Sequence, residues 1–120
     1  MQARVAWVDT DAGGRIHYTA AFRWAEAAET GLFRSLGLLE DFAAFPRRAV
    51  EAEYLRVLRF GDEVLLTIRV ESVGRTSVRL VWEGLHRGEL AVRGALTTVH
   101  VDSEGRPEPI DDRTRALLTG

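Results

Sequence analysis

The chain contains no cysteine and no lysine, since all 16 of its basic residues are arginine. Without cysteine, disulfide frameworks, thiolate zinc sites and cysteine nucleophiles are excluded. Without lysine, Schiff-base chemistry on a lysine amine is excluded as well. Any phosphate bound by this protein must therefore be held by arginine side chains or by backbone amides.

Long apolar runs and a strong excess of one charge are also lacking. No apolar run approaches membrane-spanning length, and the N-terminus reads as a short polar lead-in rather than a signal peptide. The formal net charge of −2 lacks the clustered basic excess of nucleic-acid-binding proteins. We therefore expect a cytoplasmic protein with neither a membrane nor a nucleic-acid partner. Its 120 residues suffice for one hydrophobic core, so we expect a single domain over residues 1–120.

One turn, residues 9–18, organises the chain, and its sequence is Asp-Thr-Asp-Ala-Gly-Gly-Arg-Ile-His-Tyr. Residues 4–8 before it are predicted as a short strand, because they are β-branched and aromatic. After it, the pattern predicts a helix from Ala20 to Leu36, with Thr19 as N-cap and Gly37 as terminator. Because a helix start offers free N–H groups and partial positive charge, a carboxylate beside it is either an anchor or half of a reaction centre.

The predicted helix is amphipathic and carries two informative acids. Its apolar sector contains Ala21, Trp24, Ala25, Ala28, Leu32 and Leu36. The three alanines in that list indicate close approach to a sheet. Glu29 falls inside this sector and Glu26 at its edge, and a buried carboxylate is costly unless it is paired. For Glu29 we expect a carboxylate that reaches the rim or pairs with an arginine of a partner chain.

Four further strands are predicted after the helix, at residues 47–58, 64–71, 76–86 and 90–101. The alternation falters at Leu55–Val57, which indicates a bulge or a strong bend. Short turns between successive strands indicate an antiparallel meander. Asp111 or Asp112 is expected to cap a final helical turn that runs to Leu118. The predicted fold class is α+β: a highly twisted antiparallel sheet of about five strands wrapped around one long central helix. Such a sheet leaves an exposed edge, so we expect a homo-oligomer.

Several segments together carry a family resemblance. The strongest are Asp9-Thr10-Asp11-Ala12-Gly13-Gly14, Ile16, Tyr18, Trp24, Glu26 and Ala28. Looser matches are Tyr54, Phe60–Glu63, Gly74–Ser77, Val99–Asp102 and Gly105-Arg106. With the element order, these residues resemble the hotdog-fold acyl-CoA thioesterases of the 4-hydroxybenzoyl-CoA thioesterase type. In that family an Asp-x-Asp-x-x-Gly turn precedes the central helix.

The resemblance implies specific roles for three groups. Asp11 would be the catalytic carboxylate, which attacks the thioester carbonyl or deprotonates a water. The main-chain N–H of Tyr18 would polarise that carbonyl from the helix start. Glu26 matches an acid that meets the far end of the substrate, and here it would orient the acyl group or a water. The substrate would be an acyl-CoA, with no cofactor beyond the coenzyme A of the substrate, and the protein would assemble as a dimer or a dimer of dimers.

Other residues are candidates for substrate binding. Gly13 and Gly14 permit a tight backbone path near the ligand, or form an ordinary loop. His17 is a candidate base because the ordinary pKa of histidine lies near neutrality, although a single histidine in a loop is more often solvated or packed. The hairpin-turn residues Arg75, Thr76 and Ser77 are able to meet coenzyme A phosphates, or form a solvated turn. The three histidines have no ligand spacing, so we predict no metal site.

Two departures and two alternatives bear on the activity. Many relatives carry Asn or Ser at Ala20 and Tyr at Ala21, so the acyl pocket is expected to differ. The absence of Gly-x-Ser-x-Gly argues against a serine nucleophile. The first alternative to a thioesterase is a hydratase or dehydratase on the same fold, which would use His17 and an acid. The second is a non-catalytic acyl-CoA-binding module in which Asp11 merely braces its loop.

Overall fold

A computed structural model describes all 120 residues, as two helices and five strands. The helices are α1 (Ala20–Ser35) and α2 (Asp112–Thr119). The strands are β1 (Gln2–Arg4), β2 (Arg47–Tyr54), β3 (Glu63–Val73), β4 (Ser77–His86) and β5 (Glu89–Val99). Short 3-10 turns lie at Trp7–Asp9 and Leu39–Ala44. None of the helices combines the length and the apolar character needed to cross a bilayer.

The five strands form a single antiparallel sheet in the order β1-β3-β4-β5-β2. The predicted meander is therefore confirmed for β3, β4 and β5, which are joined by short hairpins. The predicted meander is wrong for β2, which pairs with β5 rather than with β3 and forms one edge of the sheet, while the three-residue β1 forms the other. The α+β fold class with about five strands around one helix is confirmed.

The core lies between the sheet and α1. Every second residue of β3 and β4 points toward the helix, which buries Val64, Leu66, Leu80 and Trp82. The facing stripe of α1 contains Ala21, Trp24, Ala25 and Ala28. Burying each large apolar side chain contributes about 1.5–3 kcal/mol relative to leaving it in water. A second cluster closes the other end of the sheet and contains Phe33, Leu38, Phe45, Val78, Leu80, Ile110 and Leu118.

The helix boundaries follow the predicted signals closely. α1 starts at Ala20 as predicted, and the chain turns away at Gly37, whose φ of 75° is left-handed. Thr19 precedes the helix, but its side chain caps no helical N–H. Of the two predicted caps for α2, Asp111 is the one used, since it accepts a hydrogen bond from the Thr114 N–H at 2.7 Å. That hydrogen bond lowers the pKa of Asp111.

The predicted strand at residues 4–8 is wrong. β1 ends at Arg4, and the chain then makes a 3-10 turn that leaves Trp7 and Val8 exposed. The Asp9 carboxylate accepts a hydrogen bond from the Ala6 N–H at 2.9 Å and so closes this turn. A local side-chain-to-backbone bond has here overridden the β propensity of the segment.

The predicted extension of the second strand to residue 58 is also wrong, although the expected irregularity at 55–57 is confirmed. β2 ends at Tyr54. The N–H groups of Leu55 and Arg56 both donate to the Ala91 carbonyl, at 2.8 and 3.1 Å, so the ladder cannot continue. The chain then crosses toward the turn at residues 9–18, and Leu58 packs into the core.

The last predicted strand is also shorter than expected, since β5 ends at Val99 rather than at residue 101.

Candidate active site

The first aspartate of the turn, Asp9, is a buried anchor. Its Oδ2 accepts from the Ala6 N–H, and its Oδ1 accepts from Nη2 of Arg23 on α1 at 2.6 Å. Its carbonyl oxygen accepts from the His17 N–H at 2.6 Å. Asp9 therefore ties both ends of the turn to the helix.

The second aspartate, Asp11, is exposed and only half engaged. Its Oδ1 accepts from the backbone N–H groups of Gly13 and Arg15, at 2.8 and 3.2 Å. Its Oδ2 has no hydrogen-bond partner within the chain. The two backbone donors therefore hold the carboxylate in one orientation and leave one oxygen available to a ligand.

Gly13 and Gly14 shape the turn around that carboxylate. A Cβ atom on Gly13 would lie 3.2 Å from Oδ1 of Asp11, so a side chain there would crowd the carboxylate. Gly14 has a φ of 77°, a conformation that side chains disfavour. Its N–H donates to the Asp11 carbonyl at 3.0 Å and closes the turn. Both glycines thus support the position of Asp11.

The entry to α1 presents an unpaired amide. The Tyr18 N–H has no acceptor within the chain, whereas the Ala20 N–H donates to the His17 carbonyl at 2.9 Å. The Tyr18 carbonyl accepts a hydrogen bond from the Tyr54 hydroxyl, which arrives from the end of β2. Partial burial raises the pKa of Tyr54 above its ordinary value.

The His17 ring is held beside this amide in a defined orientation. Its Nδ1 lies 2.7 Å from Oγ1 of Thr19 and accepts the Thr19 N–H at 3.3 Å. Its ring stacks on that of Tyr18, with centroids 4.7 Å apart. Because Nδ1 accepts the Thr19 N–H, the hydrogen-bond pattern assigns the proton of the neutral ring to Nε2.

Asp11, His17 and Tyr18 line one groove of about 430 Å³. One wall comes from the turn, and the other comes from residues 54–58, which leave the end of β2. Ile16, Leu55 and Val57 provide apolar lining on both sides. The arrangement offers a carboxylate oxygen, a free backbone donor and an apolar wall along the same groove, as an acyl-transfer site requires.

The remaining candidates lie elsewhere in the chain. Glu26 lies two helical turns beyond Tyr18 with its side chain 63% exposed, and its Oε2 is 3.6 Å from Nη2 of Arg47. Arg75, Thr76 and Ser77 lie at the β3–β4 turn. The 11-residue strand β3, roughly 30 Å long, separates this turn from the end of the sheet at which the groove lies. Neither Glu26 nor these three residues lines the groove within one chain.

The expectation for Glu29 is wrong. Its side chain is 1% exposed, and Oε1 accepts a hydrogen bond from Nη2 of Arg47 in its own chain, at the start of β2. Oε2 is buried without a partner. Burial raises the pKa of Glu29, and the Arg47 guanidinium only partly opposes that shift. The partner of Glu29 is therefore Arg47 of the same chain, 18 residues away, and not an arginine of a partner chain. This pair joins α1 to the edge strand β2.

Two contributors to the site were not identified from the sequence as such. Tyr54 was noted only as a loose family match, and its contact with Tyr18 spans 36 residues. Thr19 was expected to cap the helix but orients His17 instead. No local pattern would have indicated the Tyr54 contact, whereas Thr19 lies only two residues from His17. No group of three His, Cys, Asp or Glu side chains is placed to hold a metal ion.

Comparison with known proteins gives a consistent result. Residues 5–118 match the thioesterase-like superfamily. Among solved structures, a thioesterase from Thermus thermophilus complexed with coenzyme A and zinc is 30% identical, with a TM-score of 0.84 over 99% of this chain and 95% of the other. A predicted thioesterase from Bacillus stearothermophilus is 25% identical, with a TM-score of 0.89 over 99% and 92% of the two chains.

A gentisyl-coenzyme A thioesterase is 22% identical, with a TM-score of 0.89 over 99% of this chain and 98% of the other, a likeness that bears on the fold alone. No curated protein sequence matches this chain.

Proposed function

Because the chain belongs to the thioesterase-like superfamily, we propose that it hydrolyses acyl thioesters, with acyl-CoA as the substrate class, to a free acid and a thiol. One observation carries the proposal: the half-engaged carboxylate of Asp11 and the unpaired N–H of Tyr18 lie on the same groove. These are the two groups that thioester hydrolysis needs, a nucleophile or base and a donor for the carbonyl oxygen.

The Tyr18 N–H is the oxyanion donor in this mechanism. As the carbonyl carbon is attacked, negative charge develops on the carbonyl oxygen. A fixed amide at the electropositive start of α1 stabilises that charge without reorganisation. Loss of one such donor costs roughly 10²–10³ in rate. The Tyr54 hydroxyl on the Tyr18 carbonyl restrains the backbone that presents this donor.

Asp11 acts as nucleophile or as general base, and both routes give the same products. As nucleophile, its oxygen bonds to the carbonyl carbon, the carbon–sulfur bond breaks, and water hydrolyses the resulting anhydride. As base, it takes a proton from a water, whose oxygen attacks the same carbon. In both routes the thiolate leaves and takes up a proton. The unengaged Oδ2 is the reacting oxygen.

His17 is part of the substrate-binding surface, whereas Gly13 and Gly14 do not line the groove and act by shaping the turn that holds Asp11. The Nε2–H of His17 supplies a second hydrogen-bond donor beside Tyr18. A hydratase would need His17 paired with an acid. His17 does line the groove with Asp11, but it forms no ion pair with a carboxylate of its own chain, where His86 is the only histidine that does, and this favours hydrolysis over that alternative.

The proposal includes a homo-oligomer, a dimer or a dimer of dimers, assembled through β2. This eight-residue edge strand pairs only with β5 and leaves a row of backbone groups unpaired. Val50, Tyr54 and Leu55 are exposed along and just beyond it. Exposed apolar edges are usually covered by pairing.

Two-fold pairing of β2 would also explain the position of Arg75, Thr76 and Ser77. In one chain, Arg47 pairs with Thr98 and Ser77 with Val99, so the β3–β4 turn lies at the Arg47 end of β2. The groove lies at the Tyr54 end. Antiparallel pairing of two β2 strands places the Arg47 end of the second copy beside the groove of the first. Arg75, Thr76 and Ser77 of the second copy would then approach the substrate.

Glu26 is proposed as an auxiliary acid. It is exposed on α1, and Arg47 beside it keeps it close to the edge strand. In the dimer it would face the acyl end of a substrate whose thioester lies at Tyr18. There it would orient the acyl group or a water.

The test is incubation with a panel of aromatic and aliphatic acyl-CoAs while free thiol is followed. We expect thiol release by the wild type and its loss in Asp11→Asn. Trapping with hydroxylamine distinguishes the anhydride route from the base route. Loss on His17→Ala with full activity in Asp11→Asn would instead support the hydratase alternative, and tight binding without turnover would support a binding module.

A further inference from the structure

Two arginines lie directly opposite each other beside the groove. Arg15 in the turn and Arg59 after β2 form an antiparallel bridge, flanked by the hydrogen bond from the Ile16 N–H to the Leu58 carbonyl at 2.8 Å. Their own N–H groups donate elsewhere, to the carboxylates of Asp11 and Asp62. They therefore form a non-hydrogen-bonded pair, in which facing side chains come close.

Neither guanidinium has an acidic partner within 4.0 Å, although seven other arginines in the chain do. Like charges directly opposite on paired segments are destabilising. Arg56, on the same groove, is in contrast neutralised by Glu89 at 3.2 Å. The Arg15–Arg59 pair thus places two guanidinium groups without an ion pair on facing, solvent-exposed positions, although carboxylates accept the backbone N–H groups of both residues.

The chemistry of the groove indicates what anion this pair would bind. An anion next to the reacting carbon would be repelled by Asp11, and the walls there are apolar. Arg15 lines the groove itself, and Arg59, which faces Arg15 across the bridge, is not part of that lining. In a CoA-type thioester, the pantetheine arm separates the reacting carbon from a phosphate. Paired guanidinium forks suit phosphate oxygens, which they bind in a bidentate manner.

We propose that Arg15 and Arg59 bind the phosphate at the end of the substrate's pantetheine arm and so set the preference for phosphopantetheine thioesters. This inference rests on the proposed thioester hydrolysis. The phosphate belongs either to coenzyme A or to the phosphopantetheine arm of a carrier protein, and its chemistry is the same in both.

The test compares one acyl group on three thiols: pantetheine, 4′-phosphopantetheine and coenzyme A. We expect wild type to prefer acyl-phosphopantetheine to acyl-pantetheine by about tenfold in kcat/KM, which allows for the solvent exposure of the arginines. In Arg15→Gln/Arg59→Gln this preference should disappear. Arg34→Gln is the matched control, since Arg34 is exposed on α1 with no acidic partner. It should retain the preference.

The third substrate identifies the source of the phosphate. A further preference for acyl-CoA that disappears in the double variant supports coenzyme A, and no further preference supports a carrier-borne arm. Rising salt should increase KM for the phosphate-bearing substrates but not for acyl-pantetheine. The inference is overturned if wild type hydrolyses acyl-pantetheine as efficiently as acyl-phosphopantetheine, or if the double variant keeps the preference.

Failure of the proposed function has a different signature, namely no thiol release from any of the three substrates. Calorimetric titration with coenzyme A then tests the arginine pair by itself. Weaker binding by the double variant than by Arg34→Gln supports the inference, and equal binding overturns it.

Discussion

Asp9 and Asp11 are two residues apart on one turn, yet their surroundings are opposite. Asp9 is buried and both of its oxygens are occupied, by the Ala6 N–H and by Arg23. Asp11 is exposed, and backbone donors hold one oxygen while the other faces no protein donor. The same side chain thus stabilises the fold where it is fully engaged, and it is available for chemistry where it is half engaged.

The two acids of α1 show a similar contrast. Glu29 is buried against Arg47, whereas Glu26, three residues earlier, is exposed and only 3.6 Å from the same guanidinium. Burial therefore separates acids that contribute to folding from acids that can meet a ligand. If this distinction is correct, substitutions of the four acids, and of the arginine that Glu26 and Glu29 share, should affect either stability or activity but not both.

The largest effect is expected for Asp11→Asn. The asparagine oxygen can still accept the Gly13 and Arg15 N–H groups, so the turn should persist, but the carboxylate that we propose to react is lost. We expect kcat for thiol release to fall about 10³-fold, within the range for removal of a catalytic base. The melting temperature should change by less than about 2 °C. A large fall in melting temperature with intact kcat would show that Asp11, like Asp9, is structural.

Next in size is Arg47→Met, which leaves the Glu29 carboxylate buried without its cation. Removing one partner of a buried ion pair costs about 3 kcal/mol or more. For a domain of this size, we expect the melting temperature to fall by about 10 °C. The control is Glu29→Leu/Arg47→Met, which removes both charges and should recover most of the loss. A double variant as unstable as the single one would contradict the assigned pairing.

The same pair predicts a pH dependence through Glu29. Because burial raises its pKa in the folded state, the folded protein holds this proton more tightly than the unfolded chain. Its contribution to stability is therefore fully present below the ordinary pKa of 4.5 and is lost as the pH rises through the raised value. Relative to Glu29→Gln, wild type should gain free energy of unfolding between pH 7 and pH 4. Urea titrations at several pH values give the free energy of unfolding of both proteins. If Glu29 had an ordinary pKa, the two plots of this free energy against pH would run parallel down to about pH 5.

Asp9→Ala should give a smaller loss of stability. It removes the acceptor for the Ala6 N–H and the pair with Arg23, whose side chain is 54% exposed and screened by solvent. Together we expect about 2 kcal/mol, mostly from the lost turn cap. Asp9→Asn, which keeps an acceptor, should recover about half of that loss. In contrast to Asp11→Asn, kcat per folded molecule should fall by less than about tenfold. A loss of kcat equal to that of Asp11→Asn would remove the distinction between the two aspartates.

The parts of the fold that were predictable are those with a strong local signal. The alternation of Val64, Leu66 and Ile68 predicted β3, and the apolar stripe with Gly37 predicted α1. The ends of β1 and β2 were not predictable, because one or two local hydrogen bonds determine each of them. One is the Ala6 N–H bond to Asp9, and the other is the shared Ala91 carbonyl after β2.

The candidate site divides in the same way. The turn with Asp11 and the helix start at Tyr18 are adjacent in sequence, so both were identifiable there. Tyr54 and Arg47 reach the turn and the helix from 36 and 18 residues away, through the return of β2 along the sheet. Only the fold brings such partners together. For that reason a local sequence pattern indicates the turn but not the partner of Glu29.

The smallest effect is expected for Glu26→Gln, the exposed counterpart of Glu29. Its pair with Arg47 is long and solvent-exposed, so its loss should change stability by less than about 0.5 kcal/mol. If it is the auxiliary acid that we propose, its loss should lower kcat by about three- to tenfold, which corresponds to about 1 kcal/mol. Steady-state kinetics of thiol release by Glu26→Gln and Asp11→Asn, measured in parallel, compare the two losses of kcat. If Glu26→Gln alone abolishes turnover while Asp11→Asn retains it, the reacting carboxylate is on α1. The half-engaged oxygen of Asp11 would then only brace its loop.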